Sequence, residues 1–211
     1  MSKRLFLIGV GACILAAIPA PAASLSLRLS AAVDYKAQAA AFIAQAQALG
    51  PPAGLDKLLS NNAAYGAYGC SLQVGKNDPA EAVRILLRIG QALVVYANTT
   101  KQWREGINAA DKTKYFRDMY FQHGKSTVDK SKVYLQTLAS TRADLAVSLA
   151  LDVASFFYNS RARDEAYRSA YIDMARWYLG EARRHAAKAK DQAGRKALLL
   201  QIETRKKTLN L

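Results

Sequence analysis

Cysteine and histidine are scarce: the 211 residues hold two of each, Cys13, Cys70, His123 and His185. Cys13 falls in an N-terminal apolar run, so a chain processed after that run keeps Cys70 alone and can form no intramolecular disulfide. Stability must then come from a hydrophobic core, and Cys70 is expected to be buried and inert within it. Two histidines also limit metal chemistry. Glu181 and His185 stand four apart on one helical face, but the H-E-x-x-H pattern of zinc peptidases and the E-x-x-H pair of di-iron bundles are absent. His185 is expected to be hydrogen-bonded at the edge of the core. There is no C-x-x-C-H for covalent haem and no G-x-S-x-G nucleophile elbow. No cofactor and no catalytic residue is therefore assigned.

Alternation of apolar and polar residues between turn signals is also missing, which argues against β-structure. What remains is helical patterning. Ser30 to Leu49 is rich in Ala and Gln, strong helix formers, and Gly50-Pro51-Pro52-Ala53-Gly54 stops it. Leu55 to Asn61 can form a short helix, after which Tyr65-Gly66-Ala67-Tyr68-Gly69-Cys70 loses its periodicity. Asp78-Pro79-Ala80-Glu81 is a strong helix start, with Asp as cap, Pro at the first helical position and Glu two further on. The helix it opens carries Val83, Leu86, Leu87, Ala92, Leu93 and Val95, dense enough for a central position, with Arg84 and Arg88 on its wet side. One or two shorter helices are expected over Lys101 to Tyr120.

Further on, Leu135, Leu138, Leu145, Leu149, Val153 and Phe156 recur at helical spacing, as do Tyr171, Met174, Tyr178, Ala182 and His185. These predict two arms of about thirty residues, each roughly 45 Å long, separated at Asn159-Ser160 and forming an antiparallel hairpin over about 127–190. A last basic helix, with Leu198, Leu199 and Ile202 inward, follows. The expectation is an all-α fold, a helical bundle or stacked helical hairpins, with five to seven helices. No internal repeat recurs.

The N-terminus, MSKRLFLIGVGACILAAIPAPAAS, places Lys3 and Arg4 before an apolar run ending at Ile18 and then small residues. That order reads as a secretory signal peptide over 1–22 with cleavage after Ala22, leaving 23–211 as a single all-helical domain. The run is short for a membrane anchor and is interrupted by Pro19 and Pro21. A lipid-bearing role for Cys13 is disfavoured because apolar sequence continues beyond it. A bacterial periplasmic location is expected.

Gly124-Lys125-Ser126-Thr127 matches the end of a phosphate-binding loop. Such a loop needs a first glycine five residues earlier, where Met119 stands, and a preceding strand. The expectation is instead a turn, with Gly124 ending one helix and Ser126 or Thr127 capping the next.

Charge is strongly one-sided: +14 overall, and +12 without Lys3 and Arg4. From Arg176 to Leu211, ten Lys/Arg face Glu181, Asp191 and Glu203, a net of +7. Such an excess favours acidic protein faces, cell-wall polymers or anionic headgroups. Export makes nucleic acid an unexpected partner. Eleven tyrosines, several beside Arg, suit packing with wet edges or an interface. Tyr167, Arg168, Arg176, Arg183, Arg184, Lys188 and Lys190 are the expected partner-binding residues. The resulting expectation is an exported, non-catalytic binding or assembly module for a protein partner or anionic envelope component, with peripheral membrane contact included. The alternative is a helical-bundle enzyme or cofactor carrier using Cys70, His123 or His185.

Overall fold

A computed structural model describes residues 33–48, 56–99, 109–161 and 167–211. Asp34–Leu211 forms one compact unit. The expected signal peptide and its cleavage site lie outside the described residues, as does the segment that carries Trp103. The described residues are all helical: α1 (Tyr35–Ala48), α2 (Asp56–Val74), α3 (Pro79–Thr99), α4 (Ala109–Asp129), α5 (Ser131–Thr141), α6 (Ala143–Arg161), α7 (Arg168–Ala186) and α8 (Gln192–Thr208). They pack as a helical bundle. Single residues, Lys130 and Arg142, part α4 from α5 and α5 from α6.

Three helices start on an Asp. Asp34 Oδ1 accepts from the N–H groups of Lys36 (3.0 Å) and Ala37 (3.1 Å). Asp78 Oδ1 accepts from Glu81 N–H at 3.0 Å, the cap expected from Asp78-Pro79. Asp191 Oδ1 accepts from Gly194 N–H at 2.6 Å. Each carboxylate satisfies donors that the first helical turn leaves unpaired. Lys36 Nζ also reaches Asp78 Oδ2 at 2.6 Å, tying the starts of α1 and α3 together.

The apolar-rich α3 is central and packs against α1, α2, α4, α5 and α6. Val83, Leu86, Leu87, Ala92 and Leu93 are buried as expected, whereas Val95 is 42% exposed. Val95 belongs to the stripe of Arg84, Arg88 and Gln91, which recurs at three- and four-residue spacing and faces outward.

Two glycine-bearing segments, one without readable periodicity and one expected to be a turn, lie inside helices. Tyr65–Cys70 is the interior of α2, and its inner face is Ala63, Ala67, Cys70 and Val74. A Cβ on Gly66 would stand 2.9 Å from the Phe42 ring of α1, so the glycine permits close packing of the two helices. Gly124-Lys125-Ser126-Thr127 is likewise interior to α4. Gly124 has no left-handed φ and cannot be the helix-ending cap that was expected. It faces Gly90 across the α3–α4 contact: a Cβ on either would lie 3.5 Å from the other's carbonyl oxygen.

The two long arms are also corrected. The chain turns at Lys130 and again at Arg142, whose φ of −137° and ψ of 70° end α5. Val128 to Tyr158 is therefore distributed over α4, α5 and α6. Asn159-Ser160 lies within α6 rather than at a break, and Ser160 is buried. The hairpin that forms is α6 against α7, built on the expected stripes: Leu149, Val153 and Phe156 meet Tyr171, Tyr178 and Ala182 in the core. Phe157 stacks on Tyr178 at 5.7 Å and meets Tyr171 edge-on at 5.5 Å. Ile202 anchors α8, with Leu198 and Leu199 partly buried against the core.

Candidate functional site

The seven residues expected to bind a partner are spread along α7 and its flanks, four of them at its two ends. Tyr167 and Arg168 stand at its start, and Lys188 and Lys190 lie just beyond its end, about 30 Å away along the helix. Tyr167 is half-buried and stacks on Phe121, with ring centroids 4.8 Å apart and an interplanar angle of 27°. Its apolar body is part of the packing. Arg168 is exposed.

Between the two ends, the arginines of α7 make intramolecular ion pairs. Arg176 Nη1 lies 3.5 Å from Asp173 Oδ1, one turn back on the same helix. Arg183 pairs with Glu203 and so links α7 to α8. Arg184 pairs with Glu181 and lies over the Trp177 ring, 5.7 Å from its centroid. Lys132 covers the same indole at 4.2 Å while pairing with Asp129 at 2.6 Å. Opposite charges within about 4 Å hold these side chains in place, although exposed pairs stabilise by at most about 1 kcal/mol each.

At the α7–α8 corner the pattern changes. Lys188, Lys190, Arg195 and Lys196 are all exposed and, among the described residues, none forms an ion pair. Lys188 and Lys190 border a cleft of about 450 Å³ shared with the α5–α6 turn, where Thr141 and Asp144 lie. Arg195 and Lys196 were not singled out from the sequence. Their signal was proximity to the α7–α8 turn, which becomes apparent once the helix boundaries are fixed.

Cys70, His123 and His185 have separate settings. Cys70 is buried, with its thiol 3.6 Å from Gln38 Oε1 of α1. His123 meets Tyr65 edge-on, at a centroid distance of 6.4 Å. It lines a pocket of about 230 Å³ together with Tyr65, Tyr68, Ser126, Thr127 and Lys130. His185 is only 2% exposed, and neither ring nitrogen has a hydrogen-bond partner, contrary to expectation. Its Nε2 stands 3.9 Å from Glu181 Oε2, whose carboxylate is engaged by Arg184. Burial pushes the imidazole pKa below its usual 6.5, outweighing the opposing pull of Glu181. Among the described residues no three His, Cys, Asp or Glu side chains gather as a metal site would require.

A further cleft was not anticipated from the sequence. About 560 Å³ of space lies between the outward stripe of α3 and a polar stripe of α6, bordered by Arg84, Arg88, Gln91, Asp152, Ser155 and Asn159. Its apolar floor includes Leu87, Val94 and Phe156. Arg205 of α8 donates to Ser155 Oγ at 2.5 Å and marks one end. Arg84 pairs with Glu81 at 3.2 Å, whereas neither Arg88 nor Asp152 makes an ion pair among the described residues. Partial burial raises the Asp152 carboxyl pKa, outweighing the opposing influence of Arg205 and Arg84. Both stripes have helical spacing in the sequence, but only the topology sets them face to face.

No helix among the described residues is long and apolar enough to cross a membrane. The chain matches no protein-family model, no curated protein and no solved structure.

Proposed function

We propose that the protein is an exported, non-catalytic binding module that engages a protein partner or an anionic envelope component through its basic C-terminal half. The N-terminal order of basic, apolar and small residues supports export to a bacterial periplasm. The observation that carries the binding reading is the α7–α8 corner. Lys188 and Lys190 in the turn and Arg195 and Lys196 at the start of α8 are exposed and form no ion pair among the described residues, while Arg176, Arg183 and Arg184 of α7 are paired. Unpaired exposed cations can exchange solvent and counterions for an anionic surface without breaking contacts that hold the fold. Arg183 and Arg184, in the last turn of α7, stand beside that corner and extend its field, and Arg176 lies further back along the helix. Trp177, placed between Lys132 and Arg184, offers a nearby aromatic edge for selectivity.

The test is charge reversal at the corner. Lys188→Glu, Lys190→Glu, Arg195→Glu and Lys196→Glu together should abolish retention on envelope material at physiological salt and leave the helical circular dichroism spectrum intact. Retention equal to that of the unmodified chain would overturn the reading. Parallel assays on acidic-lipid vesicles and on delipidated envelope protein assign the anionic source.

A further inference from the structure

The cleft between α3 and α6 presents charges of both signs: Arg205 and Arg84 act on Asp152 through space, but among the described residues no ion pair spans the cleft. Arg84 and Arg88 stand four residues apart on α3, a spacing that brings their side chains together over one helical turn. Asp152 projects from the facing wall of α6. Opposite charges sharing a narrow space would ordinarily collapse into an ion pair, yet Arg88 and Asp152 form none among the described residues. Two features of the scaffold fix the walls. Gly90, on the opposite side of α3 from Arg88, packs so closely that an added Cβ would meet Val128 Cγ2 at 2.2 Å and Phe156 Cζ at 3.2 Å. Ser155, one turn beyond Asp152, is held by Arg205 of α8 and itself donates to Leu151 O at 2.8 Å.

A simple anion would meet attraction from the arginines and repulsion from Asp152. A simple cation would meet the reverse. A molecule carrying both charges satisfies both walls, and the space of about 560 Å³ lies within the range of small-molecule sites. Leu87, Val94 and Phe156, all buried, supply an apolar floor beneath the charged rim. We propose that the α3–α6 cleft binds a small zwitterion of the α-amino carboxylate class, with its carboxylate at Arg84 and Arg88, its ammonium at Asp152 and an apolar side chain over Leu87 and Phe156. Gln91 and Asn159 complete the rim as neutral hydrogen-bonding groups. This site is independent of the α7–α8 corner.

The experiment is calorimetric titration of the full chain with three probes of one carbon skeleton: L-phenylalanine, 3-phenylpropionate, which lacks the ammonium, and phenethylamine, which lacks the carboxylate. L-Phenylalanine should bind saturably and roughly ten- to a hundredfold more tightly than either analogue, the effect expected for a charged hydrogen-bonded group. Asp152→Asn should erase its advantage over 3-phenylpropionate, and Arg88→Gln its advantage over phenethylamine. The corner reversal should leave the binding unchanged. The ranking in the unmodified chain decides the matter even if a variant misfolds. No saturable binding of L-phenylalanine, or equal binding of 3-phenylpropionate, would overturn the proposal.

Discussion

The Tyr178 hydroxyl lies 3.2 Å from Ser131 Oγ and 3.4 Å from both the backbone and side-chain oxygens of Asp129. One phenol of α7 thus clasps the joint at which α4 becomes α5. Tyr178 and Ser131 are both fully buried, so neither group can turn to water if the other is removed.

Tyr178→Phe should therefore lower unfolding free energy by about 1 kcal/mol, read by urea denaturation. In a double-mutant cycle with Ser131→Ala the two changes should couple rather than add, because they share one bond. Strict additivity would mean that the clasp does not contribute.

Glycine substitutions separate the helical reading of Gly124 from a turn. Gly90→Ala should destabilise by roughly 1–3 kcal/mol, since its new methyl would overlap Val128. Gly124→Ala meets Val94 only at 3.4 Å and should be neutral or gain up to about 1 kcal/mol from helix propensity. Gly69 and Gly180 have no atom within 4 Å of an added Cβ, and alanine there should stabilise by about 1 kcal/mol each. Thermal midpoints should follow that order. A Gly124→Ala loss as large as that of Gly90→Ala would contradict the described α4.

Removing the Asp78 side chain deletes both the α3 cap and the link to Lys36. Asp78→Ala should cost about 1 kcal/mol, most of it from the cap. Asp78→Asn, which keeps the cap geometry and loses the charge, should recover most of the loss in the same denaturation assay.

His185 gives the fold an acid dependence. Its folded pKa is depressed below 6.5, so the unfolded chain takes up the proton first. Stability from this residue is fully present above 6.5 and is lost as pH falls from there through the folded value. The thermal midpoint of the unmodified chain should drop as pH falls below about 6.5, and His185→Phe should flatten that slope. An identical slope in the variant would assign the acid dependence to other groups.

The parts legible in the sequence are those set by local chemistry. The Asp78-Pro79 start depends on backbone donors within one turn, and the stripes ending at Phe156 and His185 depend on helical period. Both appear in the structure. Gly124 suggests a helix end because glycine disfavours helices locally, and the segment around Gly66 has no readable period, but the helical placement of both depends on packing against α3 and Phe42, which lie elsewhere in the chain. The breaks at Lys130 and Arg142 carry neither Gly nor Pro. Among the charges, the cations of the α7–α8 segment were visible as a count. Which were already paired depended on Asp173, Glu181 and Glu203, and the opposition of Arg88 to Asp152 depended on topology.

Tyr96 and Tyr120, edge-to-face at 5.6 Å in the core, have phenol pKa values pushed up to about 12 by burial. Folded phenols hold protons that an unfolded chain releases near 10, so their contribution is complete below 10 and fades as pH rises through about 12. Together with the depressed His185, these side chains enter the core only as uncharged species. They bracket a stability plateau between roughly pH 6.5 and 10, outside which either added acid or added base drives the same helices apart.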